Sequence, residues 1–201
     1  MAETADRTLF IACGALAREI VALKSAYGWD DTVEVTCLPA IWHNYPNRIP
    51  AGVKAKIQAG KRKFGRIFVL YGDCGTGGEL DRVLAEEGVE RIEGPHCYEF
   101  FTGSVDFNKL MDDEPGTFFL TDYMVRHFDR LIWQGLALDR HPELRDAYFG
   151  NYRRLVYLSQ IEDPRLLQKA KAAAERLGLE FMHRQTGYGD LATFMAAKAG
   201  E

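Results

Sequence analysis

The chain has 201 residues, 47% of them hydrophobic and 12% aromatic, which is enough for a full apolar core. Its net charge of −4 excludes the basic excess of a general nucleic-acid binder, and no apolar run approaches the roughly 20 residues that span a bilayer. MAETADRTLF lacks the charged-then-apolar layout of a secretory signal, so the expected location is the cytoplasm, where four cysteines act as thiols, metal ligands or catalytic groups rather than disulfides.

Leu9 to Ala12 predict a first strand that ends at Cys13-Gly14. A helix follows, with Leu16, Ile20, Val21 and Leu23 as its apolar stripe and Gly28 at its end. Val33 to Cys37 (VEVTC) predict a second strand, and the segment after it, LPAIWHNYPNRIP, is dense in proline and aromatics. Val53 to Arg62 predict a modest helix whose basic end, Lys61-Arg62-Lys63, is solvated. The third strand, Ile67 to Leu70, is an apolar run with the character of a buried parallel strand.

A glycine-rich turn follows, GDCGTGG, in which Gly72, Gly75, Gly77 and Gly78 permit positive φ angles or close backbone approach. Thr76 and Glu79 have the spacing of a capping box, and Leu80, Val83 and Leu84 then repeat at helical intervals. Val89 to Ile92 predict a fourth strand ending at Glu93-Gly94-Pro95, and His96-Cys97-Tyr98 open the next segment. Thr117 to Leu120 predict a fifth strand, with Thr121 or Asp122 capping a long helix that reaches about Leu138.

Asp139 to Arg153 predict two short helices with a turn at Gly150, and Leu155 to Leu158 a sixth strand. Asp163 as N-cap, Pro164 at the first helical position and Gly178 beyond Leu177 bracket another helix. Leu179 to Met182 predict a final strand, and Asp190 to Ala197 a closing helix. Strands alternating with helices imply a doubly wound α/β fold, a mostly parallel sheet with helices on both faces as in Rossmann or flavodoxin-like proteins. No repeat or low-complexity linker divides the chain. The expected organisation is a single α/β domain over 1–201, with a helical excursion around 122–153.

In such folds ligands bind beyond the carboxyl ends of the strands. Cys13 ends the first strand, Cys37 the second, and Cys74 and Cys97 follow the third and fourth. Parallel strands would bring all four sulfurs to one edge, with His43 and His96 in the loops there and Asp73 and Glu99 close in sequence. Thiolates and imidazoles gathered in this way suit zinc, or iron in an iron–sulfur cluster. The expected metal ligands are Cys13, Cys74, Cys97, His43 and His96, and Cys74, His43, Asp73 and Glu99 are the catalytic candidates. Cys37 is the weakest of the thiols, because VEVTC alternation can bury it as core. A metal there would lower the pKa of bound water or thiol. A single activated thiolate, Cys74 or Cys13 with a histidine base, is the alternative.

VLYGDCGTGG is also similar to the cofactor turn of S-adenosylmethionine-dependent methyltransferases. On that reading Gly72, Gly75, Thr76 and Gly77 would line the cofactor and Glu93 would hold its ribose. Asp73 stands where the first glycine belongs and Tyr71 where the acid belongs, so the pattern departs from that family's. Helix residues Arg126, His127, Asp129, Arg130 and Trp133 read as a solvated charged face.

GPHCYEFFTG, YGDCGTGG, LTDYMVRHFDRL and FGNYRRLVYLSQ together resemble a bacterial and archaeal family, domain of unknown function 1638 (DUF1638), from Cys13 to about Phe194. Members of that family often occur near corrinoid-dependent methyltransferase components. The resemblance therefore implies a role in one-carbon metabolism, with a small-molecule substrate and a corrinoid protein or methyltransferase as partner. The expectation is a metal-dependent transferase. A transferase using S-adenosylmethionine or a cysteine nucleophile, and a non-catalytic accessory protein that binds a methyltransferase, are the other readings.

Overall fold

The structure, a computed structural model, describes residues 7–199. In chain order the elements are β1 (Thr8–Cys13), α1 (Ala17–Ala26), β2 (Val33–Leu38), α2 (Ile49–Gly60), β3 (Arg66–Leu70), α3 (Glu79–Glu87) and β4 (Glu90–Arg91). They continue with α4 (Cys97–Thr102), α5 (Ser104–Asp113), β5 (Thr117–Thr121), α6 (Asp122–Arg126), α7 (Arg145–Phe149), β6 (Arg154–Ser159), α8 (Pro164–Leu177), β7 (Glu180–Gln185) and α9 (Gly189–Ala199). All seven expected strands form, and every pairing between them is parallel. The α/β class read from the alternation of strands and helices is the class observed.

The strands divide between two sheets rather than joining one. The chain separates into two compact units, one of residues 1–100 and 190–201, the other of Phe101–Gly189. The first holds a four-stranded sheet of order β2-β1-β3-β4, the second a three-stranded sheet of order β5-β6-β7.

In the first unit β1 is central, and all six of its residues are buried. Thr8↔Val33 through Cys13↔Leu38 set its register with β2, and Thr8↔Arg66 through Ala12↔Leu70 its register with β3. The chain leaves β1 towards β2 and returns to the opposite flank as β3, so the strand order reverses between β1 and β3. The right-handed crossover rule for parallel strands puts α1 on one face and α2 and α3 together on the other, and α2 and α3 pack against each other. Lys54 of α2 and Lys61 at its C-cap bond Glu86 and Glu87 of α3 at 2.8 and 2.6 Å. Of the expected stripe on α1, Leu16, Ile20 and Leu23 are buried while Val21 is 59% exposed.

The second unit packs Leu120, Leu155 and Tyr157 of its sheet against Leu166, Ala170, Ala173, Ala174 and Leu177 of α8. The caps of α8 form as expected. Asp163 accepts the Arg165 and Leu166 amides at 2.9 and 3.3 Å, and Gly178 takes φ 73°. The long helix expected from Asp122 to Leu138 is broken. After α6 the chain widens into a π turn, Asp129–Trp133, with Gln134 N–H donating to Asp129 O and Leu138 N–H to Trp133 O, and Ala137 at φ 59° ends it. The Asp122 side chain does not cap this helix. Its carboxylate turns to the β6 end, where it accepts the Gln160 and Ile161 amides and the Tyr157 hydroxyl.

Candidate functional site

The site lies at the carboxyl edge of the first sheet, where β1 and β3 diverge. Parallel α/β sheets open a crevice at such a reversal, because the adjoining loops leave in opposite directions. Cys13 is the last residue of β1, 2% exposed, and its Sγ accepts the Ala15 N–H at 3.4 Å at the start of a short 3₁₀ turn. Gly14 lets this turn approach β2 closely, since a Cβ there would stand 3.0 Å from Leu38 O.

Beyond β2, Ala40–Asn44 form a 3₁₀ segment that carries His43. Trp42 anchors the segment by lying over Gly52 of α2, where a Cβ would come within 2.4 Å of its ring. His43 consequently sits on the rim with its Nδ1 turned inward, 3.6 Å from Cys13 Sγ and 3.2 Å from Ala40 O. Removal of the ring from water, opposed by the Ala40 carbonyl and aided by the charge of His96, holds the imidazole below its usual pKa.

The glycine turn after β3 is built by its own aspartate. Asp73 accepts the Thr76 hydroxyl at 2.7 Å, the Gly78 N–H at 2.9 Å and the Gly77 N–H at 3.3 Å, bonds that keep its carboxyl below its ordinary pKa. The expected capping box is replaced by this arrangement, and Glu79 pairs instead with Arg82. Gly72 is required by the backbone: a Cβ there would lie 2.8 Å from Pro95 O, beside the bond from Cys74 N–H to that oxygen. Cys74 itself takes φ 50°, a left-handed conformation uncommon outside glycine. Asp73 is thereby a turn residue. The amides of Gly77 and Gly78, which a cofactor of the S-adenosylmethionine type would meet, are already bonded. Glu93 is exposed and lines a different cavity, with Asp190 and Phe194.

His96 precedes α4, and Cys97 opens it. His43, Cys74, Gly75, His96, Cys97 and Tyr98 line a cavity of about 260 Å³. The edge therefore gathers thiols and imidazoles from the ends of all four strands. Burial pushes the Cys13 thiol up to about 11 and Cys74 to about 12, and it raises Cys97 well above its ordinary value. Repulsion from Cys13 adds to the rise at Cys74, and repulsion from Cys74 and Cys13 to the rise at Cys97. All four cysteines are free thiols. Cys37, on β2, is half-buried, and the charge of Lys56 offsets part of its burial. Glu99, in the first turn of α4, has its carboxyl raised by burial, partly offset by His96.

Among the described residues no group of three or more His, Cys, Asp or Glu side chains is arranged to hold a metal ion. The donor chemistry suits a soft cation, while the present positions do not close around one.

Two residues belong to the site that the sequence did not mark. Tyr71, directly after β3 and 1% exposed, stacks on His43 with centroids 6.5 Å apart and stands beside Cys13. Glu19 is buried on α1, and its charge reaches Cys97. Its signal was an acid placed between Leu16 and Leu23 on the inward face of a helix.

Residues 37–195 match the sequence model of the family described as "Protein of unknown function (DUF1638)". The chain belongs to the DUF1638 family. No curated protein and no solved structure matches it. The resemblance carried by the motifs from Tyr71 to Gln160 is thus a true family membership. Cys74, Cys97, His43 and His96 all fall inside the matched region, and Cys13 lies ahead of it. No helix among the described residues is long and apolar enough to cross a membrane.

Proposed function

We propose that this DUF1638 chain is a metal-dependent protein of methyl-group metabolism, with its centre formed by Cys13, Cys74, Cys97 and His43 at the β1/β3 edge. The observation that supports this reading is the cavity of about 260 Å³ in which thiols and imidazoles converge where the strand order reverses. None of the residues lining it is a lysine or arginine, and the charge of Arg91, which acts on Cys74 from outside the lining, is outweighed by the burial of that thiol. This weighs against a free thiolate nucleophile, whose attacking form would be scarce at neutral pH. A soft cation converts buried thiols into ligands, and zinc or iron favours sulfur and nitrogen donors. Bound there, the ion would hold a small thiol or water at an open position and lower its pKa.

The chain's own groups prepare for this. Ala40 O accepts from His43 Nδ1–H, the arrangement that leaves Nε2 unprotonated as a ligand atom. His96 supplies a second imidazole in the cavity wall, within reach of a substrate held there. The substrate class proposed is a small methyl donor or acceptor, and the partner proposed is a corrinoid protein, as the resemblance implied.

The test is elemental analysis and a visible spectrum of protein purified without added metal. One zinc per chain, or iron with sulfide and a brown colour, is expected, with loss in Cys13→Ser, Cys74→Ser and Cys97→Ser. A metal-free chain that still supports methyl transfer in cells, and retains a methyltransferase partner in a pull-down, overturns the reading in favour of an accessory role.

A further inference from the structure

We infer that Ser159 and His183 form a second reactive site, a nucleophile and its general base that transfer a short acyl group from an uncharged or cationic ester to water. The site lies within the second unit and does not depend on the metal reading above.

Ser159 is the last residue of β6, and Gln185, its register partner, is the last of β7. The Ser159 hydroxyl and His183 Nε2 are 2.9 Å apart. Side chains two positions apart on a strand share a face, so Tyr157, Ser159, His183 and Gln185 stand together on one side of the sheet. Both members of the pair are held in place. The Ser159 carbonyl accepts the Thr186 N–H at 2.9 Å, and the His183 ring stacks on Tyr157 with centroids 5.3 Å apart. Tyr157 is fixed in turn by its 2.6 Å bond to the buried Asp122.

The same four residues, with the start of α8, line a cavity of about 150 Å³. It sits at the carboxyl end of a parallel sheet, the side on which such folds bind ligands. A hydroxyl within hydrogen-bond reach of an imidazole, the imidazole itself oriented by a third group, is the arrangement that activates a serine. With the ring proton on Nδ1, Nε2 takes the Ser159 proton as Oγ attacks the acyl carbon. The ring then gives that proton to the departing alcohol as the ester C–O bond breaks. Water next attacks the acyl carbon and passes a proton to Nε2. Ser159 recovers that proton as the carboxylic acid leaves. The Gln185 carboxamide, beside Ser159 in register, is the donor available to the carbonyl oxygen.

Size and lining set the substrate. A cavity of this volume takes a group about as large as benzene. Pro164 and Leu167 give it an apolar side, while the carboxylates of Glu162 and Asp163 disfavour an anion.

The experiment treats wild type, Ser159→Ala and His183→Gln with phenylmethanesulfonyl fluoride, whose ring matches the cavity and whose fluoride leaves as a serine oxygen bonds the sulfur. Intact mass and peptide mapping should place a single adduct on Ser159, absent from Ser159→Ala and from wild type unfolded in urea. Labelling of His183→Gln should be slower by about 100-fold or more, because the base is gone. Hydrolysis of p-nitrophenyl acetate should be lost in Ser159→Ala, and the decanoate ester should react about tenfold more slowly than the acetate in wild type. No adduct on Ser159 in folded wild type, or equal labelling of wild type and a folded His183→Gln, overturns the inference. A decanoate hydrolysed as fast as the acetate overturns its assignment to short acyl groups. Neither result bears on the thiol centre.

Discussion

Cys13 Sγ and His43 Nδ1 stand 3.6 Å apart although 30 residues separate them in the chain. The contact joins the end of β1 to the loop after β2, and it exists because Trp42 pins that loop over Gly52. Replacing His43 with Gln should therefore weaken metal uptake about tenfold or more while leaving the thermal midpoint within a few degrees, since the ring is on the rim. Isothermal titration with Zn²⁺, paired with a melting curve, reads both effects.

The buried thiols give the chelator-stripped protein a defined alkaline response. Cys13 rises from 9.0 to about 11 because burial disfavours its thiolate. A folded-state value above the unfolded one leaves the native state at full stability below pH 9.0, and stability is lost as pH rises through 9 towards 11. A shift of this size amounts to about 2–3 kcal/mol for Cys13. Urea midpoints should fall between about pH 8 and about pH 11, and fall less in Cys13→Ala. Equal slopes in the two proteins would remove Cys13 as a source of that loss.

Gly72→Ala should be among the most damaging small substitutions near the site. Its Cβ would sit 2.8 Å from Pro95 O and 3.0 Å from His96 N, both backbone atoms that cannot swing aside. Overpacking of this kind costs about 1–3 kcal/mol, and here it displaces the segment carrying His96 and Cys97. Chemical denaturation should show the loss, and metal affinity should fall with it. Gly77 has open space around it, so Gly77→Ala should cost only what its φ of 64° imposes.

The strands, the parallel class and the thiol-rich edge were legible in the sequence because each depends on local pattern. Leu9–Ala12 and Ile67–Leu70 are apolar runs, and a cysteine just past a strand must lie at the sheet's carboxyl edge. The division into two sheets was not legible, because pairing partners are chosen by packing between distant segments. The break after Arg126 was hidden for a similar reason. Helical spacing continues to Leu138, and the bonds that widen the chain at Asp129–Trp133 leave no mark on composition. The GDCGTGG turn carried two meanings in sequence. Only the bonds of Asp73 distinguish a self-capped turn from a ligand cradle.

That distinction is testable at Asp73. Its carboxylate is taken up by its own turn, where it accepts the Thr76 hydroxyl and the Gly77 and Gly78 amides. Asp73→Ala should cost about 0.5–2 kcal/mol, the usual value of a lost cap. Bonding depresses its carboxyl below the ordinary value, so this contribution is present above the unfolded pKa of 3.8 and disappears as pH falls below it. Metal content should be unchanged in the variant. Loss of bound metal without loss of stability would return Asp73 to the catalytic set.

In the second unit the corresponding pressure point is Asp122, 1% exposed at the junction of β5 and β6. Its Oδ1 accepts the Tyr157 hydroxyl at 2.6 Å and the Gln160 amide at 3.2 Å, and its Oδ2 accepts the Ile161 amide at 3.2 Å. Alanine there would strand three buried or half-buried donors at once and remove the charge that faces Arg126 at 3.8 Å. Each abandoned donor costs about 1–3 kcal/mol, so Asp122→Ala should lose roughly 3 kcal/mol or more. Asparagine should lose less, because its carbonyl oxygen still receives Tyr157 while its amide meets the Ile161 N–H donor to donor. Tyr157→Phe in the Asp122→Ala background should cost almost nothing further, since the hydroxyl it deletes has already lost its acceptor. Urea denaturation of the four proteins measures that coupling, and additive losses would show that Asp122 stabilises the unit by some route other than these bonds.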